Sequence, residues 1–248
     1  MEQATTQATA DAVEMELGTR LYREVNNEIR EHIATGCGKF VLDRVLGQRY
    51  LACGAPEGVS FEIHGIPGND MSAYMNGASV EVFGNAQDQV GNTMNEGRIV
   101  IHGHCGDAAG YGMRGGCIMI EEGCGWRVGI HMKRYMSKNP TIFVGGDAGN
   151  FLGEYMAGGK IILIGQPGDY LASGMHGGLI YLRNAVDESK YDSSQLVLEP
   201  VEQPDIEVLE AQLAMYEQCF GHAACDTPAA DFVRLRPRSQ RPYGSMYA

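Results

Sequence analysis

Residues 91–120 read GNTMNEGRIVIHGHCGDAAGYGMRGGCIMI. Glycine recurs throughout, yet the stretch also carries two short runs of alternating apolar residues, Ile99/Ile101 and Ile118/Ile120. Glycine weakens the interior of a strand or helix, so the combination asks for short strands and tight corners in strict alternation. Nineteen residues separate Ile99 from Ile118, Met94 from Met113 and Gly84 from Gly103. The segment is two copies of one unit.

The same step runs outward in both directions. Met75, Met94, Met113 and Met132 are each 19 apart, as are Met156 and Met175, and Gly65, Gly84 and Gly103 keep the interval with Glu122 in the next slot. The apolar pairs Phe61/Ile63, Val80/Val82, Ile99/Ile101, Ile118/Ile120, Ile161/Leu163 and Ile180/Leu182 fall in register, with Thr141/Phe143 as a polar-first variant. That gives seven units. One step is longer: 24 residues separate Met132 from Met156, and the surplus lies in HMKRYMSKNP at 131–140.

A unit of this length cannot bury its own apolar face and must stack on copies of itself. Alternation turns one strand face inward. Equivalent strands then pair at roughly 4.8 Å per coil. The expected fold is therefore all-β, a right-handed parallel β-helix of about seven coils; a right-handed path follows the strong preference for right-handed parallel crossovers. Gly65, Gly84, Gly97, Gly103, Gly116, Gly145, Gly159, Gly165 and Gly178 are its structural corners. The registered methionines fill the interior. Asn69, Asp88, Asp107 and Trp126 share one slot, with Asn150 and Asp169 in the equivalent place later, and read as a turn ladder because Asn and Asp tolerate left-handed geometry. Cys105 and Cys124 fall on adjacent coils.

The ends differ from the middle. Val13, Leu17, Leu21, Val25 and Ile29 lie at helical spacing, which predicts an amphipathic helix over 11–34, ended by Gly36 and Gly38. A second helix is expected from Ile206 to Phe220, ahead of a basic, proline-containing extended tail, FVRLRPRSQRPYGSMYA at 232–248. Open solenoid ends need covers, and either helix could supply one. The tail reads as a segment that lies on a partner. The organisation is then 1–50 as helical cap and lead-in, 51–186 as the β-helix, and 187–248 as C-terminal helix and partner-binding tail.

A formal charge of −12 over 248 residues argues against nucleic-acid and anionic-membrane partners. No apolar run reaches a bilayer-spanning length, and the first 35 residues lack the layout of a secretory signal, so the expected compartment is the cytoplasm. Seven cysteines form no CxxC pair; scattered thiols of this kind are expected to be free and structural.

No run fits a Walker-type phosphate loop, and the glycine clusters lack the strand-to-helix context of a dinucleotide fingerprint. His64 and His102 share one slot but lie two coils apart with Phe83 between, so a shared metal would have to bridge roughly 10 Å. Histidines on outer strand faces are the simpler reading. The most site-like segment is GWRVGIHMKRY at 125–135. It holds Trp126, Arg127, His131, Lys133 and Arg134 beside the one insertion in the repeat. Aromatic-plus-arginine clusters anchor interfaces; a partner contact, a tunnel mouth and a solvated loop all fit.

The run GNAQDQVGNTMNEGRIVIHGHCGDAAGYGMRGGCIMI, with GWRVGIHMK, GEYMAGG and GMHGG after it, resembles the GXGXG domain, the C-terminal region of the glutamate synthase large subunit. The resemblance covers residues 59–184, and the flanking helix and the RPxSxRPY-like tail at 236–243 are similar to its stand-alone version. One of the subunits of formylmethanofuran dehydrogenase shares the domain. The resemblance implies a β-helix with no catalytic residue, cofactor or metal of its own. It implies partners that carry the chemistry: a glutaminase-type amidotransferase subunit and a synthase subunit with FMN and an iron–sulfur cluster, arranged around an ammonia path in nitrogen metabolism. Two alternatives are an equivalent subunit of a formylmethanofuran dehydrogenase-like complex, and an independent β-helix enzyme with an outer-groove site.

Overall fold

The computed structural model describes residues 12–239. In chain order the elements are β1 (Val13–Glu16), α1 (Tyr22–Ala34), β2 (Lys39–Leu46), β3 (Ser60–Ile66), β4 (Asn76–Phe83), β5 (Glu96–Ile101) and β6 (Cys117–Ile120). They continue with β7 (Thr141–Val144), β8 (Ala157–Leu163), β9 (Gly177–Leu182), β10 (Leu196–Pro200), α2 (Gln203–Phe220) and β11 (Val233–Pro237). One sheet holds every strand, in the order β1 to β9 and then β11 and β10. Neighbours from β1 to β9 are parallel. This is a parallel β-helix. It has eight coils from β2 to β9, one more than the repeat suggested, because Phe40 and Leu42 precede Phe61 and Ile63 by 21 residues and so escape a search at 19.

Register carries the core. Phe61, Val80, Ile99, Ile118, Ile142, Ile161 and Ile180 are stacked partners on consecutive strands, as are Ile63, Val82, Ile101, Ile120, Val144, Leu163 and Leu182. The polar-first pair Thr141/Phe143 was one residue out of step: Ile142 and Val144 point inward, and Phe143 points out against α2. In a strand a one-residue slip exchanges the two faces. The added residues between Met132 and β7 displaced the count. Met75, Met94, Met113, Met132 and Met156 are fully buried in the interior and Met175 nearly so.

The ladder of Asn and Asp is real, but its bonds run between coils. Asp88 accepts from the Asp107 backbone N–H at 2.9 Å, Asp107 from that of Trp126 at 2.7 Å, and Asn150 from that of Asp169 at 2.8 Å. A second row does the same, with Asn85 accepting from His104 and Asp147 from Gln166. Cys105 and Cys124 are bridge partners on adjacent coils, both buried. Burial pushes the Cys124 thiol up to about 12, and all seven cysteines are free.

Six of the corner glycines, Gly65, Gly84, Gly97, Gly116, Gly159 and Gly178, hold positive φ. Gly145 and Gly165 are small for a different reason: the preceding coil's backbone occupies the space a Cβ would take.

Both ends depart from expectation. The N-terminal helix begins at Tyr22, not near residue 11, because Val13–Glu16 pairs with Phe40–Asp43. Val13 and Leu17 suit both a helical and a period-2 pattern; buried Met15 between them decides for the strand. The Leu17 N–H still bonds Asp43 O at 2.8 Å before the chain turns at Gly18. Leu21 is exposed, while Val25 and Ile29 of α1 join the interior cluster at its open N-terminal end.

Helix α2 does not cover an end. It lies on the outer sheet face, where Val100, Met119, Phe143, Ile162 and Tyr181 form an apolar row against Leu209, Tyr216 and Phe220. The Tyr216 hydroxyl donates to Glu121 O at 2.9 Å. A capping box of Glu202 and Asp205 starts α2, and Gly221 in left-handed geometry ends it. The first part of the basic tail is β11, antiparallel to β9 and β10, so its backbone completes this chain's own sheet. Arg234 there bonds Asp205 at 2.7 Å and Glu199 at 2.6 Å, and Arg236 bonds Glu199 at 2.7 Å. Leu196 and Leu235 close the interior at that end. The RPxSxRPY-like segment lies outside the described residues from 240 onward.

Candidate functional site

Opposite the strands, the coils of β2 to β8 run through consecutive turns in which alternate residues have positive φ. The sets are Tyr50/Ala52/Gly54, Asp70/Ser72/Tyr74, Gln89/Gly91/Thr93, Ala108/Gly110/Gly112, Arg127/Gly129/His131, Phe151/Gly153/Tyr155 and Tyr170/Ala172/Gly174. The middle residue faces inward. At Gly110 a side chain would strike Ile142, and at Gly129 it would strike Ile161. Most of the outer positions, Arg127, His131, Phe151, Tyr155 and Tyr170 among them, carry side chains in left-handed geometry, a conformation that costs roughly 1–2 kcal/mol for a non-glycine residue.

Hydrogen bonds to both neighbouring coils hold this geometry. The Arg127 N–H bonds Asn150 O at 2.9 Å on the next coil, the Gly129 N–H bonds Ala109 O at 2.8 Å on the previous one, and the His131 N–H bonds Glu154 O at 3.0 Å on the next. The backbone therefore presents two fixed outward rows.

In the first row the Arg127 guanidinium lies 4.9 Å from the centre of the Phe151 ring, and Phe151 stacks on Tyr170 at 4.8 Å with planes 10° apart. Arg127 Nε also donates to Glu154 Oε2 at 2.9 Å. In the second row His131 stacks on Tyr155 at 5.3 Å and 13°, with the Tyr111 ring edge-on at 5.8 Å. Lys133 lines a depression of about 370 Å³ with His131, Tyr155, Ala157 and His176. Trp126 is half-exposed beside Arg127, its ring over Gly149.

The structure thus brings Trp126, Arg127, His131 and Lys133 to one face. Arg134 turns away from it, donating from Nε to Met136 O at 3.3 Å within the insertion. That insertion is a small turn closed by reciprocal backbone bonds between Tyr135 and Lys138. Phe151, Glu154, Tyr155 and Tyr170, which the sequence reading missed, complete the face with His176, a histidine expected only on an outer strand face. Their signal was the repeat itself, since Phe151 and Tyr155 follow Arg127 and His131 by the long step of 24 residues.

The other histidine group is a stack. His64, Phe83 and His102 lie face to face at 5.0 and 4.7 Å, with Glu62 paired to His64 and Glu81 to His102. His222, just after α2, pairs with Glu121 at 2.9 Å, and that bond raises its pKa. Among the described residues, no three His, Cys, Asp or Glu side chains are grouped so as to hold a metal ion. No helix there is long and apolar enough to cross a membrane.

Comparison with known proteins bears on the whole chain. The model of the GXGXG motif family matches residues 2–237. An uncharacterized protein of Methanocaldococcus jannaschii is 39% identical over 242 residues, covering 91% of this chain and 92% of the relative. With the repeat, its corner glycines and the parallel coils in agreement, the chain belongs to the GXGXG motif family.

Proposed function

We propose that this protein is a non-catalytic scaffold subunit of a glutamate synthase-like complex. It would hold a glutaminase-type amidotransferase subunit and an FMN- and iron–sulfur-containing synthase subunit in fixed relation around an ammonia path. Family membership across nearly the whole chain supports the kinship with glutamate synthase. The observation that carries the scaffold role is the rigid outward face built from Arg127, Phe151 and Tyr170 in one row and His131 and Tyr155 in the other, with the Tyr111 ring edge-on to His131. Exposed aromatic rings with arginine and lysine beside them are the composition of interface anchors. Trp126, Arg127, His131 and Lys133 are the proposed partner contacts, with Arg134 at their margin.

The benefit of such a subunit is geometric. Two active sites held at a fixed separation pass a labile intermediate without releasing it to solvent, an effect of proximity and not of bond chemistry. The FMN, the cluster and the nucleophilic cysteine of the glutaminase belong to the partners in this proposal.

Reconstitution tests it. With purified glutaminase-type and synthase-type subunits, glutamine-dependent turnover should fall roughly tenfold or more when this chain is omitted, while ammonia-dependent turnover of the synthase changes little. Equal glutamine-dependent rates with and without the chain would refute the scaffold role. Turnover by the isolated chain would favour an independent enzyme.

A further inference from the structure

Two residues beyond the His131 slot, successive coils carry Arg114, Lys133, Ala157 and His176 in one outward row. Backbone bonds fix the register: the N–H groups of Arg114, Lys133, Ala157 and His176 bond Met94 O, Met113 O, Met132 O and Met156 O at 2.8, 3.0, 2.8 and 2.9 Å. Ala157 ends at its Cβ, so the row dips there. Lys133 and His176 stand on either side of the dip, two coil steps or roughly 10 Å apart. His131 and Tyr155 form its flank, and the volume of this open depression is about 370 Å³. That is ample for a small anion or for one side chain of a visiting protein.

The chemistry of the lining is one-sided. His131, Lys133, Tyr155 and His176 bring nitrogen and hydroxyl groups, and no carboxylate lines the dip, in a chain of formal charge −12. Among the described residues Lys133 has no ion pair, unlike Lys138 with Glu96 and Lys190 with Asp169. Glu154, the acid preceding Tyr155, is buried and engaged by Arg127. Arg114, next in the row, has a buried Nε without a hydrogen-bond partner. His176 is oriented as well. Its Nδ1 lies 3.2 Å from Gly174 O; a carbonyl only accepts, so Nδ1 carries the hydrogen and Nε2 is left uncommitted.

We propose that the dip between Lys133 and His176 is an oxyanion-binding site, taking a carboxylate or phosphate group over Ala157. The Lys133 ammonium supplies the charge. With Nδ1 already donating, His176 can donate from Nε2 only as the imidazolium, so the anion that reaches it draws one proton from solvent onto that nitrogen. Charge-assisted bonds of this kind are about twice as strong as neutral ones. The stacked His131 and Tyr155 rings line the flank of the dip. The oxyanion could arrive as a free small anion or as a carboxylate side chain on a partner protein.

The isolated chain tests this without any partner, so its outcome is independent of the proposed complex. Histidine ring signals of the 15N-labelled chain would be followed by NMR while sodium acetate, inorganic phosphate or an acetylated triglutamate peptide is added. We expect saturable binding of at least one probe below about 10 mM, with His176 moving to the imidazolium pattern. Lys133→Ala should weaken it roughly tenfold. Ala157→Leu, which fills the dip without touching a charge, should abolish it, and Lys160→Ala on the outer strand face should leave it unchanged. Tighter binding of phosphate or acetate than of the peptide assigns a free anion; the reverse order assigns a protein carboxylate. The proposal is overturned if no probe saturates, or if Lys133→Ala and Ala157→Leu bind as tightly as wild type in chains with unaltered melting temperature.

Discussion

The Asp107 carboxylate accepts a hydrogen bond from the Trp126 backbone N–H at 2.7 Å, one full coil further along the cylinder. Trp126 occupies the slot that an acceptor fills on the preceding coils, so the ladder of Asp88 and Asp107 stops there and resumes only at Asn150. The ladder therefore ends where the outward aromatic and basic face is fullest. Removing the acceptor strands an amide between two coils, and Asp107→Ala should destabilise the chain by about 1 kcal/mol. Asp107→Asn keeps an acceptor oxygen and should cost less than half as much. Urea unfolding of the two variants side by side checks the order, and equal losses would show that the charge and not the bond matters.

Glu199 predicts an acid-sensitive closure of the C-terminal end. The hydrogen bond from Arg236, with Arg234 adding to it against the effect of burial, holds its carboxyl at about 2, below its ordinary value of 4.5. A lowered folded-state value means stability that is fully present above the unfolded value and is lost as pH falls. The melting temperature of Glu199→Gln should therefore trail wild type at neutral pH. The gap should narrow from about pH 4.5 downward and close near pH 2. A gap constant over that window would mean that the pairing of Glu199 with Arg234 and Arg236 contributes nothing to folding.

Arg127 and Glu154 should be energetically coupled. The Glu154 side chain is only 10% exposed, and Arg127 Nε is 2.9 Å from its carboxylate. Arg127→Ala leaves a nearly buried charge without that donor, at a cost of about 1–2 kcal/mol after allowance for the half-exposed guanidinium. Adding Glu154→Ala removes the stranded charge, so the double variant should lose less than the sum of the single ones. A double-mutant cycle by chemical denaturation measures the difference, and strict additivity would remove the pair as an organising element of the face.

How much of this was legible in the sequence depends on which physical signal carries each feature. Met75 to Met132, the Ile99/Ile118 pairing and the Cys105/Cys124 adjacency follow from an unbroken step of 19, and register alone places them. The eighth coil was hidden because β2 and β3 are separated by a different step. Phe143 was turned to the wrong face because the insertion shifts register by an amount that spacing does not divide. Val13 and Leu17 fit two periods at once, and only burial of Met15 resolves them. The site shows the same division. Trp126, Arg127, His131 and Lys133 were found as a local cluster, whereas Tyr155, Glu154 and His176 join them from later coils through stacking. Their alignment emerges from the chain only after the long step is corrected.

Ala108 and Gly110 share one coil and should respond to substitution in opposite senses. Both have positive φ, 55° and 69°. Ala108 pays the left-handed steric cost of a Cβ on an outward-facing residue, so Ala108→Gly relieves roughly 1–2 kcal/mol of strain. It also loosens the unfolded chain by about 0.4–1 kcal/mol. The net expectation is a small gain, below about 1.5 kcal/mol, with a raised melting temperature. Gly110→Ala reverses both terms and adds a clash, because the new Cβ would lie against the Ile142 Cδ1 in the interior. Overpacking of this kind costs about 1–3 kcal/mol beyond the backbone strain. Calorimetry of the two variants separates strain that an outer position tolerates from crowding that an inner position cannot. A stabilising Gly110→Ala would mean that the turn face is not held in the alternating left-handed geometry on which the outward rows depend.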